Sequence, residues 1–217
     1  MGIKGVIFDH DGTLVDSERN HFLTWRDLLT RYQVEPGEQG YIFQHAGVPT
    51  LCNAELIVLS HQLNISPQAL CQQKEALTES FLAKHASELI SFVKQCVENC
   101  YNAGLSLAIA TGASAEEIRR SLAHHNVSRH LTHVATRNHV TRGKPDPEVY
   151  SLMLKQMVMS APECVAIEHS RTGVLAAKAA GLTCTAVPNP YSRQQDLSPA
   201  DIVVEDLKCT WNETCRL

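Results

Sequence analysis

The 217 residues carry no excess of positive charge, since 19 Lys and Arg stand against 23 Asp and Glu for a formal net charge of -4. Without a basic footprint, nucleic acid is not an expected partner. No apolar run approaches the ~20 residues of a membrane-spanning helix, so no membrane partner is expected either. The eight cysteines contain no Cys-x-x-Cys pair, which removes the common redox and zinc signatures. Cys96 and Cys100 lie at helical i,i+4 spacing and read as apolar packing. The thiols are expected to be reduced, as in a cytoplasmic protein. The first residues run almost directly into an apolar strand, so no signal peptide is expected. There is no internal repeat and no low-complexity segment.

What is present is enough apolar material, 44% of residues, for one large core with a modest insert. The stretch Gly5-Val6-Ile7-Phe8-Asp9-His10-Asp11-Gly12-Thr13 opens on a short apolar run that reads as a buried strand. It ends on two carboxylates one residue apart, and Gly12 then permits a sharp turn. Ligands of open α/β sheets bind at the carboxyl ends of strands. Two acids placed there repel unless a cation or a proton offsets them. A turn-capping role for Asp9 and Asp11 is the plainer alternative.

From Asp16 to Ala86 nothing reads as a strand. Helices are predicted over about Glu18–Tyr32, Glu38–His45, Thr50–Leu63 and Pro67–His85, the last capped by Ser66. From Glu88 onward helices and strands alternate. A helix is expected from about Glu88 to Ala103, closed by Gly104, then a strand over Leu105–Ala110. Ser114 caps a helix to about His125, and further strands are expected at Thr132–Ala135, Cys164–Ile167, Leu182–Val187 and Ile202–Val204, with helices at Pro147–Met159 and Arg171–Ala180. The pattern predicts a parallel sheet between layers of helices, with an all-helical insert after the first strand.

Three further stretches carry chemistry. Strand Ser106–Ala110 runs into Thr111 and Gly112; the Thr111 hydroxyl can donate to an anion, and the backbone N–H groups of Gly112 and Ala113 are expected to lie free at a helix start. Lys144 sits in Arg142-Gly143-Lys144-Pro145-Asp146-Pro147, a loop stiffened by two prolines. Val165-Ala166-Ile167-Glu168-His169-Ser170 ends a fourth apolar run on an acid and a histidine.

Taken in order, these four motifs resemble those of the haloacid dehalogenase (HAD) superfamily. The likeness points to its branch with a small helical cap, similar to β-phosphoglucomutase and phosphoglycolate phosphatases. The resemblance implies a Rossmann-like α/β core over residues 1–15 and 87–217 with a helical cap domain over 16–86. It implies a phosphatase acting on a small phosphorylated metabolite, with Asp9 as nucleophile, Asp11 as general acid and base, and Thr111 and Lys144 stabilising the phosphoryl oxygens. It implies Mg²⁺ held by Asp9, the Asp11 carbonyl and the fourth motif. There the branch has Glu then Asp, whereas this chain has Glu168 then His169, which favours Mn²⁺ or Co²⁺ relative to Mg²⁺. His21, Thr50, Gly112 and Ala113 are the expected substrate-side residues, and Trp25 is read as packing. Thr50 stands where the mutase has an arginine for the substrate's second phosphate. A phosphomutase, and a binding protein whose turnover is impaired by His169, remain the alternatives. A monomer or weak dimer is expected.

Overall fold

The structure is a computed structural model that describes residues 2–125, 127–208 and 210. Its sheet has six parallel strands: β1 (Gly5–Phe8), β2 (Ser106–Ala110), β3 (Leu131–Ala135), β4 (Cys164–Glu168), β5 (Thr183–Ala186) and β6 (Ile202–Val203), in the order β3-β2-β1-β4-β5-β6. The first strand therefore lies at the centre, between β2 and β4. Its pairings are Phe8↔Ile109 and Phe8↔Ile167, so the next step along each strand brings Asp9 level with Ala110 and Glu168.

Both faces of the sheet are covered, as a parallel sheet requires. Val6, Phe8, Leu107, Ile109 and Ile167 point into one apolar cluster with Val93, Cys96, Val97 and Cys100 of helix α5 (Val93–Asn102). Ile7, Ala108, Ala110 and Ala166 point into the other, with Val149, Tyr150 and Met153 of α7 (Glu148–Met157) and Val174, Ala176 and Ala177 of α8 (Arg171–Ala179). Period-two alternation along each strand produces the two cores. Helix α6 (Ala115–His125) follows β2, and Ser114 accepts from the Glu117 N–H at its start.

Helices α1 (Glu18–Thr30), α2 (Glu38–Gln44), α3 (Thr50–His61) and α4 (Pro67–Leu82) pack around a third cluster, which includes Phe22, Trp25, Leu28, Tyr41, Ile57 and Leu70. Tyr191, from the sheet side, joins it, and its hydroxyl donates to Glu38 Oε1 at 2.6 Å. Two strands of chain link this helical block to the sheet, and they run side by side. Val15 pairs antiparallel with Leu89, Asp16 N–H donates to the Glu88 carbonyl, and Ile90 N–H donates to the Leu14 carbonyl.

That pairing corrects the expected helix from Glu88. Residues 88–90 are extended because their backbone groups are used by the outgoing linker, and α5 begins only at Val93 after Phe92 takes a left-handed turn. Cys52, Cys71, Cys96, Cys164 and Cys184 are free thiols, and Cys209 and Cys215 lie outside the described residues. Among the described residues no helix is long and apolar enough to cross a membrane.

One glycine in α8 is fixed by the sheet. A Cβ on Gly173 would overlap the carboxylate of Glu168, the last residue of β4. Gly173→Ala must push that carboxylate or the helix aside, an overpacking cost of about 1–3 kcal/mol. Urea unfolding should show a lowered midpoint with an unchanged slope; an unchanged midpoint would mean that the helix shifts at no cost.

Candidate active site

The carboxyl ends of β1, β2 and β4 open into a cavity of about 290 Å³ between the sheet and the helical block. Asp9, Asp11, His21, Thr50, Thr111, Gly112, Ala113, Lys144 and His169 all line it. Of the residues singled out in the sequence, only Glu168 lies behind the wall, fully buried.

The floor is an ion cluster. Lys144 Nζ donates to Asp9 Oδ1 at 2.7 Å and to Glu168 Oε1 at 2.5 Å. Tyr150 of α7 donates its hydroxyl to the same Glu168 oxygen at 2.7 Å. Burial pushes the Asp9 carboxyl up, but the Lys144 charge and the hydrogen bond from His169 outweigh it and hold it below the usual range. Burial likewise opposes the Lys144 charge, and the Asp9 and Glu168 carboxylates raise its pKa above the ordinary lysine value. Asp9 is thus an ionised carboxylate with one oxygen clamped by an ammonium.

Its other oxygen, Oδ2, accepts from the Thr13 hydroxyl at 3.1 Å and faces His169 Nδ1 at 3.2 Å. The opposite ring nitrogen, Nε2, lies 3.2 Å from Glu18 Oε1, the first residue of α1. The backbone at Gly12 passes so close that a Cβ there would sit 2.6 Å from that Nε2. Gly12 also has φ +71, so both the turn and the approach require glycine.

Asp11 points elsewhere. Its Oδ1 accepts from Ser17 at 2.7 Å and lies 3.4 Å from His10 Nδ1 and 3.8 Å from His21 Nε2. Burial raises its pKa, but the His10 and His21 rings outweigh that and hold it well below the usual carboxylate range. His21 is steadied from the other side by Lys74 of α4, whose Nζ donates to Nδ1 at 2.9 Å.

One sequence expectation needs correction here. The Ala113 N–H is not free, because the Thr111 Oγ1 turns back to accept from it at 3.0 Å. The next N–H, of Ser114, donates to Glu117 Oε2 at 2.5 Å, so the protein's own acid occupies that helix start. The Asp11 carboxylate is engaged by Ser17 and stands outside the side-chain group Asp9, Glu168 and His169; the ligand expected from Asp11 is its carbonyl.

Three residues of the site had not been singled out. Lys74 is buried, at i+4 from Leu70 and i–4 from Thr78, so it lies on the inward stripe of its helix. A lysine on an apolar stripe is a readable signal. The hydroxyl contact of Tyr150 comes from the tertiary fold. Glu18 stands in the first turn of α1, a placement favoured by the helix dipole.

Residues 6–187 match the family described as haloacid dehalogenase-like hydrolase. The chain belongs to that family. The fructose-1-phosphate phosphatase YqaB of Escherichia coli is 30% identical over 180 residues, 82% of this chain and 93% of that protein. The β-phosphoglucomutase of Bacillus subtilis is 25% identical over 209 residues, 93% of this chain and 89% of its own. The crystal structure of CbbY from Rhodobacter sphaeroides in complex with phosphate superposes with a TM-score of 0.83 at 22% identity, covering 96% of each chain, which shows the shared fold. With this family and a phosphatase-named relative at that coverage, the chain is a phosphoric monoester hydrolase.

The donor set of the floor suits a divalent cation. Asp9, Glu168 and His169 each offer a ligand atom, all within 4.8 Å of one another. The 3.2 Å between Asp9 Oδ2 and His169 Nδ1 is close to the roughly 3 Å between neighbouring corners of an octahedron with bonds near 2.1 Å. Ligation at Nδ1 would release a proton, so binding is pH-dependent.

Burial works against a charge on His169, but hydrogen bonds to Asp9 and Glu18 outweigh it and push the imidazole up to about 10. A folded-state pKa raised above the ordinary 6.5 stabilises the fold fully below about pH 6.5, and that contribution is lost as pH rises to about 10. In chelator-treated protein, thermal unfolding of the wild type should fall across this window more steeply than that of His169→Gln. Parallel profiles would show that His169 carries no such charge.

Proposed function

We propose that the chain is a metal-dependent phosphatase that hydrolyses a small phosphorylated metabolite, of the sugar-phosphate or phosphoglycolate kind, through an aspartyl-phosphate on Asp9. The observation that carries the reading is the Asp9 carboxylate: it is buried in the cavity floor, kept ionised, and held at 2.7 Å by Lys144. A carboxylate so held is oriented for in-line attack on phosphorus. Thr111 and Lys144 line the same cavity and offer hydroxyl and ammonium donors to the phosphoryl oxygens.

Asp11 protonates the leaving oxygen and then takes the proton of the attacking water. Its depressed pKa keeps it ionised, the form in which it can accept a proton. The first role is favoured once the negative phosphoryl group lies beside it, since a nearby like charge raises a carboxyl pKa. Asp9, the Asp11 carbonyl, Glu168 and His169 are the residues that would hold the cation, whether Mg²⁺, Mn²⁺ or Co²⁺. When bound it offsets the charge of nucleophile and phosphate.

Residues 16–86 act as a cap that selects the substrate, hinged at the paired linkers Val15 and Leu89. His21 and Thr50 face the substrate from that cap. The enzyme works in the cytoplasm, where its free thiols stay reduced, as a monomer or weak dimer. A phosphomutase is the second reading, favoured by the match to β-phosphoglucomutase. Thr50, at the place of the mutase arginine, counts against it. A requirement for a bisphosphorylated activator would establish it.

A phosphate-release screen over metabolite phosphates, with each of the three metals, tests the function. On the best substrate Asp9→Asn should lose at least about a thousandfold in kcat, since an amide cannot form the phosphoenzyme. Asp11→Ala should cost about 10²–10⁴-fold with an alkyl phosphate and far less with p-nitrophenyl phosphate, whose leaving group hardly needs a proton. Near-wild-type rates for Asp9→Asn, or equal losses on both substrates for Asp11→Ala, would contradict these roles.

A further inference from the structure

Glu18 is a buried acid that the phosphatase chemistry does not use. Its side chain is 5% exposed, and so is that of His169, 3.2 Å away. A carboxylate out of water is costly unless a donor meets it. Here the donor is the ring N–H at His169 Nε2, since an ionised carboxylate can only accept. The neighbouring Tyr41 phenol, kept protonated by burial and by the Glu18 charge, is a second donor to the same carboxylate. With Nε2 turned to Glu18, Nδ1 is turned to Asp9 Oδ2, at 3.2 Å. Gly12 lies against the ring, so close that a Cβ there would meet Nε2 at 2.6 Å and Cδ2 at 2.7 Å.

A carboxylate that accepts one ring N–H of a histidine fixes the tautomer, aims the other nitrogen and makes it a stronger donor. The substitution of histidine for the branch's second acid thus comes with an orienting partner in the same fold.

We propose that Glu18 is a positioning residue for the metal: it holds His169 through Nε2 so that Nδ1 enters the ligand set beside Asp9, and it thereby gives this site its preference for Mn²⁺ or Co²⁺ relative to Mg²⁺. The inference rests on the metal-dependent reading above and deepens it. It also crosses the cavity, because Glu18 belongs to the first helix of the helical block and His169 to the sheet edge. Metal affinity and the seating of α1 are then linked.

The test is metal binding, read without substrate. Mn²⁺ is titrated into the full-length protein, with free Mn²⁺ followed by electron paramagnetic resonance, and pulsed measurements on the bound ion report ¹⁴N coupling. The wild type should show coupling to one imidazole nitrogen, and His169→Asp should abolish it and shift the preference toward Mg²⁺. Glu18→Gln keeps an acceptor but loses the charge, whereas Glu18→Ala loses both. Mn²⁺ affinity should fall in that order, by about 10–100-fold for Ala, with the ¹⁴N coupling weakened or lost. Circular dichroism confirms that each variant is folded.

Absence of ¹⁴N coupling in the wild type would overturn the proposal, whatever the variants do. So would wild-type affinity and coupling in Glu18→Ala. Phosphate release without ¹⁴N coupling defeats the Glu18 role alone. Coupling with no release from any ester supports that role while defeating the phosphatase reading.

Discussion

One ammonium group holds together two carboxylates that would otherwise repel each other in the floor of the cavity. Lys144 reaches Asp9 on one strand end and Glu168 on the next, and all three are buried. Removing Lys144 would leave two carboxylates out of water without their common counter-charge, which costs several kcal/mol. The surrounding structure is arranged to meet this constraint. Parallel register brings Asp9 level with Glu168, Gly173 leaves room for the Glu168 carboxylate, and Tyr150 supplies a further donor to it. Under the proposed mechanism the clamp has a chemical consequence, since a nucleophilic carboxylate must be ionised and Lys144 holds Asp9 in that form.

Around that floor, contacts from the helical block complete the cavity. Glu18 meets His169, Lys74 steadies His21 beside Asp11, and Thr172 donates its hydroxyl to the Gly47 carbonyl at 2.5 Å. Each joins a residue of the block to one of the sheet edge, directly or through one intermediate. The paired linkers at Val15 and Leu89 are the only covalent route between them among the described residues. Besides these polar contacts, Tyr191 of the sheet side packs into the apolar cluster of the block. If Glu18 positions His169 for a metal as proposed, substrate entry and metal ligation would be coupled, because Glu18 belongs to the helical block and His169 to the sheet side.

The centre of the sheet was legible in the sequence because its strands carry short apolar runs punctuated by Gly, Thr or acid, as in Val6–Phe8 and Val165–Ile167. The chemistry at their ends was legible for the same reason: polar residues interrupt apolar runs at Asp9, Thr111 and Glu168. Lys144 was marked by its stiff Gly-Lys-Pro frame. What could not be read was cross-chain pairing. Glu18, Lys74 and Tyr150 take their roles from partners 151, 53 and 18 residues away. The stretch at Glu88–Ile90 has helical neighbours, but its backbone is used by Leu14 and Asp16, so tertiary hydrogen bonding overrides local preference. The Ala113 N–H looked available only because a threonine hydroxyl can donate outward or accept locally, and here it accepts.

The central claim is that Asp9, clamped by Lys144, takes the phosphoryl group. The most direct measurement is to quench the enzyme in acid during turnover of its best substrate, digest it, and locate any phosphoryl group by mass spectrometry. The account predicts a phosphorylated peptide containing Asp9, labile to hydroxylamine as an acyl phosphate and missing in Asp9→Asn. Steady phosphate release with no phosphorylated peptide, or with the phosphoryl group on another residue, would contradict it.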